Sequence, residues 1–341
     1  MGHLPAEWSE QDGCLISWPG EQSGFADPRA AQNACLELIA AISQREDVVV
    51  ACRDAAECGR VEDRLAASAA EAARVRTLRV PHAGDALRTF GPQTVMMVDQ
   101  PHLLDFRAPA HHGERPSPLD EHFPRQLHES GLFADGIRMS SLNFELEGGA
   151  VETNGTDSLL LSRSAVPRTM GTPRPMEAML TSFYRYTHVL WLEHGAIPGD
   201  RSGGRIDMRA RFVDHDAIAH VTREGDAGLE AMERELASLT TPDGTPYRLV
   251  PLPLPETPVT DDQGQSLPAT YAQFVVINEA VLVPAFDDPM DQLAAQRLAE
   301  IFPDREIVSI DARALLTPTG GLHALVLPLP RGAMAYTADR P

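Results

Sequence analysis

Apolar and polar positions along the chain alternate in short paired runs, and each pair flanks a turn-forming sequence. Thr94–Val98 and His102–Phe106 surround Asp-Gln-Pro, and Ala150–Glu152 and Ser158–Ser162 surround Asn154-Gly155. Ala210–Val213 and Ala217–Val221 surround Asp-His-Asp, and Phe274–Ile277 and Ala280–Pro284 surround Asn-Glu. Period-two alternation about a tight turn predicts four β-hairpins; Asn-Gly is the strongest turn signal, since both residues tolerate positive φ. Segments with helical spacing then lead into further strands. Met176–Tyr186 precedes His188–Leu192, Gly228–Leu239 precedes Tyr247–Pro251, and a helix after Pro289 precedes Glu306–Ile310. Asp287 or Asp288 is placed to cap that last helix, with Pro289 in its first turn. At the front of the chain Cys14–Trp18, a helix over Arg29–Ser43 and Val48–Cys52 form one more copy. The pattern predicts five ββαβ-like units of unequal length, without residue identity between them. Units of this kind bury their helix faces and strand ends most simply around one shared cavity. No low-complexity linker divides them, and the Pro-rich stretch Pro251–Pro268 reads as one loop, so residues 1–341 are expected to form a single domain.

Charge narrows the function. The formal net charge is −20, which opposes binding to phosphate backbones or anionic lipid, so neither nucleic acid nor membrane is an expected partner. All 29 fixed cations are arginines. Without lysine there is no Schiff base, no pyridoxal-phosphate anchor and no phosphate-loop lysine. The four cysteines, Cys14, Cys35, Cys52 and Cys58, include no CxxC pair, which argues against a zinc knuckle or disulfide framework and for a reduced cytoplasm. The opening MGHLPAEWSEQDG has neither a basic nor an apolar leader region, so export by a signal peptide is not expected. No apolar run approaches the ~20 residues needed to cross a bilayer.

Several motif-like stretches carry little. Gly199-Asp-Arg-Ser-Gly-Gly204 is one residue too long for a serine-protease nucleophile loop, and no GxSxG, GxGxxG or phosphate loop occurs. His111-His112, with His102, His122 and His128, lacks the i, i+4 spacing of a helical metal site and reads as a solvated loop. Neither a metal nor a cofactor is expected.

The informative segments are Pro5-Ala-Glu-Trp8 with Ile16-Ser-Trp-Pro19, Arg88-Thr-Phe-Gly-Pro92, Leu146-Glu-Gly-Gly149, Trp191-Leu-Glu-His-Gly195, Gly199-Asp200 with Ile206-Asp207 and Arg211-Phe212, Tyr271-Ala-Gln-Phe274, Val283-Pro284 with Asp287-Asp-Pro289, and Gly320-Gly-Leu-His323-Ala324. In this order, from about Pro5 to about Leu327, the chain resembles the agmatine deiminase and bacterial peptidyl-arginine deiminase family. The resemblance implies the α/β pentein fold, five ββαβ modules about a pseudo-fivefold axis, which agrees with the unit count. It also implies hydrolysis of a guanidinium to a ureido group. In that chemistry a cysteine thiolate attacks the guanidinium carbon, a histidine moves protons and carboxylates clamp the nitrogens.

The residues at those positions depart from the family. Ala324 stands where the resemblance implies the cysteine, Arg205 where it implies the histidine, and Thr89 where it implies a clamping aspartate. Gly203 stands at a further aspartate position, and an aromatic motif that helps enclose substrate is missing around Phe106–Gly113. Glu147, Asp200, Asp207 and His323 are retained. Alanine cannot attack carbon, and arginine stays protonated and cannot serve as a general base. These replacements predict a pseudoenzyme that acts as a binding or partner subunit, toward a small-molecule ligand or an active homologue, with a homodimer as one assembly that the resemblance allows. An active agmatine or arginine deiminase, with the family's place in polyamine biosynthesis, is the alternative, as is altered acid–base chemistry on the same frame. The retained carboxylates also have structural readings: Glu147 bonding backbone amides at its glycine turn, and Asp207 pairing with Arg209 or Arg211. A sharper expectation is that Arg205 folds into the old cavity and pairs with Glu147 and Asp207.

Overall fold

The structure, a computed structural model, describes residues 2–21, 24–98, 100–110, 116–166 and 172–336. Its elements are built as the alternation predicts. After a short strand β1 (Gly2–His3) comes β2 (Gln11–Ser17), then α1 (Pro28–Ser43), β3 (Asp47–Cys52), α2 (Ala55–Ala66) and β4 (Val75–Arg79). Asp27 caps α1 by accepting the amides of Arg29 and Ala30, and Pro28 occupies the first turn, where its missing N–H costs nothing. Ala31, Ala34, Cys35, Leu38, Ile39 and Ile42 recur at helical spacing and bury one face of the helix.

A one-turn helix α3 (Leu87–Phe90) leads into the second unit, β5 (Gln93–Met97), β6 (Gln100–Arg107), α4 (Pro118–Glu129) and β7 (Arg138–Glu145). The third is β8 (Val151–Thr153), β9 (Ser158–Ser162), α5 (Pro173–Tyr184) and β10 (His188–Leu192). The fourth is β11 (Ala210–Asp214), β12 (Ala217–Thr222), α6 (Ala227–Ala237) and β13 (Arg248–Pro253). The fifth is β14 (Val275–Ile277), β15 (Ala280–Ala285), α7 (Met290–Ile301) and β16 (Glu306–Asp311). A one-turn helix α8 (Leu322–Leu325) and β17 (Val326–Pro330) follow. In units two to five the first two strands pair antiparallel, and the third joins in parallel after its helix.

The first unit is assembled differently from the sequence reading. Its antiparallel partner is β17, so that Cys14 faces Pro328 and Leu15 faces Leu327. The sheet order is β17-β2-β3-β4. A pairing across more than 300 residues leaves no local periodicity to read. The β5–β6 turn also differs. Gln100 and Pro101 already belong to the ladder, opposite Met97 and Met96, and Val98 takes the turn at a φ of 51°. In α7, Pro289 falls just before the helix, while Asp288 accepts the Met290 amide as a cap. The buried apolar residues form clusters between the sheets and their helices, and the inner ends of the five units converge on a buried polar centre. Among the described residues no helix is long and apolar enough to cross a membrane.

Candidate active site and its occupant

Polar residues from four of the five units, with the N-terminal segment and α8, meet at this centre. The Gly199–Gly204 loop shapes one part of it. Gly204 has a φ of 126°, and a Cβ there would lie 2.1 Å from the Ser164 hydroxyl oxygen, so only glycine lets the chain turn at this point. The Ser202 hydroxyl accepts the Arg205 amide, a structural task rather than a nucleophile's. The turn delivers Arg205 inward. Its side chain has no solvent exposure. Nε and Nη2 donate to Oδ1 and Oδ2 of Asp207 at 3.0 and 2.5 Å, a two-point fork, and Nη1 reaches the Thr319 carbonyl at 3.4 Å. The guanidinium lies flat against Gly149, where a Cβ would meet Nε at 2.3 Å. On another side a Cβ on Gly320 would sit 2.6 Å from the Ala324 methyl and 3.4 Å from Arg205 Nη1. The arginine's nitrogens and the methyl of residue 324 therefore border the same small volume.

The charges are matched around this cation. Burial, the largest influence, works to raise the pKa of Asp207, but Arg205 and then His323 hold the carboxyl well below its ordinary range. Arg205 moves the opposite way: burial would lower its pKa, and Asp207, Glu147 and Asp200 together raise it. Glu147 is pushed up to about 7, chiefly by burial, with Arg205 and a hydrogen bond from Thr89 pulling downward and Asp207 pushing upward. The Arg205 expectation therefore holds for Asp207, which forms the fork. Glu147 meets the cation through its field and accepts a hydrogen bond from Thr89.

Asp207 pairs with neither Arg209 nor Arg211. Arg209 points to Asp200 at 3.9 Å and to the Ser162 hydroxyl at 3.1 Å. Asp200 caps its own loop by accepting the Ser202 amide, so it borders the centre without entering the fork.

The network continues across the core through His323 to Glu7, Arg88, Arg211 and Glu152, which the sequence did not single out as functional. His323 places Nδ1 2.7 Å from Asp207 and Nε2 2.7 Å from Glu7. Both contacts are hydrogen bonds when the Glu7–His323–Asp207 chain carries two protons. Burial first, then Arg211 and Arg88, lower the pKa of His323; Glu7 and the Asp207 bond oppose them. Glu7 also accepts Arg88 Nη2 at 2.7 Å and Arg211 Nη2 at 2.9 Å. Its carboxyl stays well below the usual range even though burial, its largest influence, acts upward. Arg211 donates Nε to Glu152 at 2.8 Å and stacks 4.4 Å from the Phe274 ring centroid. Glu7, Arg88 and Arg211 sit inside quoted motifs; the available signal was a charged residue within an otherwise apolar strand or turn.

Above this floor opens a cavity of about 380 Å³, lined by Thr89, Gly320, Gly321 and Ala324 together with Phe90, Leu315 and Leu325 and the carboxylates of Asp85 and Asp120. No cysteine lines it. Cys14 is buried and hydrogen-bonded to Glu46, and burial also raises the thiol pKa of Cys35 and Cys52, while Cys58 is half-buried. The histidines considered as a cluster are separately occupied: His102 by Ser140, His122 by the Pro118 carbonyl and His128 by the Ile137 carbonyl. His111 and His112 lie outside the described residues, as does the Gly113 end of the stretch where an aromatic motif is expected to be missing. Phe106 is buried among Phe144, Phe183 and Tyr184.

Five such sheets about one axis make this a pentein fold, and comparison with known proteins places it more closely. Residues 3–330 match the Porphyromonas-type peptidyl-arginine deiminase family, and the chain belongs to that family. Agmatine deiminase of Stutzerimonas stutzeri is 25% identical, across 95% of this chain and 94% of that protein. The structure of a proposed arginine deiminase from Porphyromonas gingivalis is 34% identical with a TM-score of 0.85, covering 98% of this chain and all of that one. A cysteine-to-serine variant of C. jejuni agmatine deiminase, solved with substrate bound, is 26% identical with a TM-score of 0.85, covering 97% of each chain.

Proposed function

We propose that this family member no longer deiminates guanidines and serves instead as a ligand-binding or partner subunit, with an internal guanidinium in the place of the substrate's. The observation that carries the reading is Arg205, fully buried and forked on Asp207 beside the Ala324 methyl. A planar cation held by two N–H···O bonds is the arrangement a guanidine-modifying site must offer its substrate. Here the chain supplies that cation itself. The covalent route needs a thiolate at the guanidinium carbon and a base that releases its proton. Ala324 and Arg205 supply neither, and Thr89 offers a hydroxyl to Glu147 where a carboxylate clamp would stand. Family membership alone fits an active deiminase equally well; positions 89, 205 and 324 separate the two readings.

One observation favours a second reading, acid–base chemistry of another kind. Glu147 has a pKa pushed up to about 7 and hydrogen-bonds Thr89, which lines the cavity. A carboxyl poised near neutrality suits proton transfer. The partners proposed are a small molecule or an active homologue, a homodimer being one assembly that fits, in a cytoplasmic setting.

The test is incubation of the purified chain with agmatine, free arginine and an arginine peptide, reading ammonia and ureido product. No turnover is expected, nor from Ala324→Cys alone, because the proton carrier and one clamp would still be missing. Turnover above a heat-denatured control would end the proposal.

A further inference from the structure

The cavity in front of Arg205 has chemistry of its own, and its recognition is the next inference, resting on the reading that Arg205 already fills the guanidinium position. Its walls are largely apolar, from Phe90, Ala86, Ala108, Leu315 and Leu325, and among the described residues no cationic side chain lines it. Two carboxylates do. Asp85 is tied to Arg53 at 2.5 Å, and Arg53 also reaches Glu57 at 3.3 Å, so Asp85 already has a cation at hand. Asp120 has no cation within bonding distance among the described residues: its Oδ1 accepts the amides of Ala83 and Gly84 at 2.7 and 3.1 Å, and its Oδ2 accepts Gly84 at 3.1 Å. That leaves a single lone-pair direction on Oδ2. Burial raises the carboxyl's pKa and the backbone amides and Arg53 lower it, the balance lying on the raised side, so a further positive charge nearby would favour its ionised form.

We infer that this cavity binds a small aliphatic ammonium compound without a guanidinium, its charged head on Asp120 and its methylenes along the apolar wall. The geometry distinguishes the two kinds of cation. A guanidinium needs two parallel acceptors, and the fork that could supply them, Asp207, is taken by Arg205. An ammonium is a compact point charge that is satisfied by one carboxylate oxygen and solvent at the mouth. A volume of about 380 Å³ admits a chain of four to six carbons with room for water. Each methylene added within that length should tighten binding roughly fourfold, the free energy of burying one CH₂ expressed as a ratio.

Calorimetric titration of the full chain with butylammonium, hexylammonium, butylguanidinium and hexanol at matched ionic strength tests this. Expected are hexylammonium tighter than butylammonium by about an order of magnitude, butylguanidinium no tighter than butylammonium, and weak binding of the uncharged alcohol. Asp120→Asn should weaken hexylammonium at least tenfold. Because Asp120 also fastens Ala83 and Gly84, a second variant is needed: Ala86→Phe fills the cavity without touching the carboxylate and should abolish binding while leaving the thermal transition of the free protein in place. No binding of hexylammonium at ten-millimolar concentration, a preference for the guanidinium, or binding unchanged in Ala86→Phe would overturn the inference. Assaying the same preparation for ammonia release keeps the two ideas apart. Turnover removes the proposed function, whereas absence of both turnover and amine binding removes only this one.

Discussion

Replacing Arg205 by alanine takes away the cation and leaves the carboxylate that it neutralises. Asp207 is wholly buried, and its remaining strong partner is His323, itself shared with Glu7. Breaking one side of a buried ion pair costs about 3–5 kcal/mol, most of it the penalty of an uncompensated charge. For a chain of this length the unfolding entropy near the midpoint is about 0.7 kcal/mol per kelvin, so the expected fall in Tm is about 4–7 °C. The lesion has a definite shape: a flat slot between Gly149, Asp207 and the Thr319 carbonyl. Methylguanidinium should enter it. At ten times its dissociation constant it would return about 1.4 kcal/mol, or about 2 °C, saturably and well below denaturing concentrations. Methylammonium, lacking the fork, should return much less. Differential scanning calorimetry of Arg205→Ala with both ions is the assay. A loss under about 1 kcal/mol, or equal rescue by the two ions, would refute the claim that Arg205 occupies a guanidinium site.

Two further outcomes follow from the same centre. Gly149→Ala should destabilise the chain, because its Cβ would fall 2.3 Å from Arg205 Nε, and the cost should largely vanish in an Arg205→Ala background; additive losses in a double-mutant cycle would show the two do not touch. The pKa of Glu147 is raised in the fold from an ordinary 4.5 to about 7, so between those values the folded chain keeps a proton that the unfolded chain has released, and stability falls as pH rises through that window. Glu147→Gln should therefore stabilise the protein by up to ~3 kcal/mol at pH 8 and little at pH 4. Glu46 and Glu152, raised to about 7 in the same sense, will keep part of the slope, so a pH–stability profile identical to the parent's would count against the burial argument.

Local pattern carried most of the architecture. Hairpins such as Ala217–Val221 after Ala210–Val213 announce themselves by alternation, and the strand His188–Leu192 falls where its apolar run lies. The same strategy could not see β17 beside β2, because the partners share no window of sequence, nor β4 and α2, which extend the first unit beyond the shared pattern. At the site, the motif register located Ala324, Arg205 and Thr89 without any knowledge of contacts. What the register could not supply was partnership: which of three arginines between 205 and 211 would face Asp207. Side-chain direction decides that. Arg205 enters from a glycine loop, whereas Arg209 and Arg211, one preceding β11 and one within it, are committed to Ser162 and to Glu7 and Glu152.

The seam between β2 and β17 sets an order of events during synthesis. Four of the sheets can complete their hydrogen-bond ladders as soon as their own segments have left the ribosome. The remaining one must wait with an open edge at Gln11–Ser17 until Val326–Pro330 arrives, and the helix bearing His323 and Ala324 arrives only just before that strand. Until then Glu7 lacks its imidazole neighbour and the guanidinium slot lacks one wall. Closure of the ring and assembly of the polar centre are thus a single late step, and a chain interrupted before residue 326 would expose an unpaired β-edge rather than a smaller finished protein.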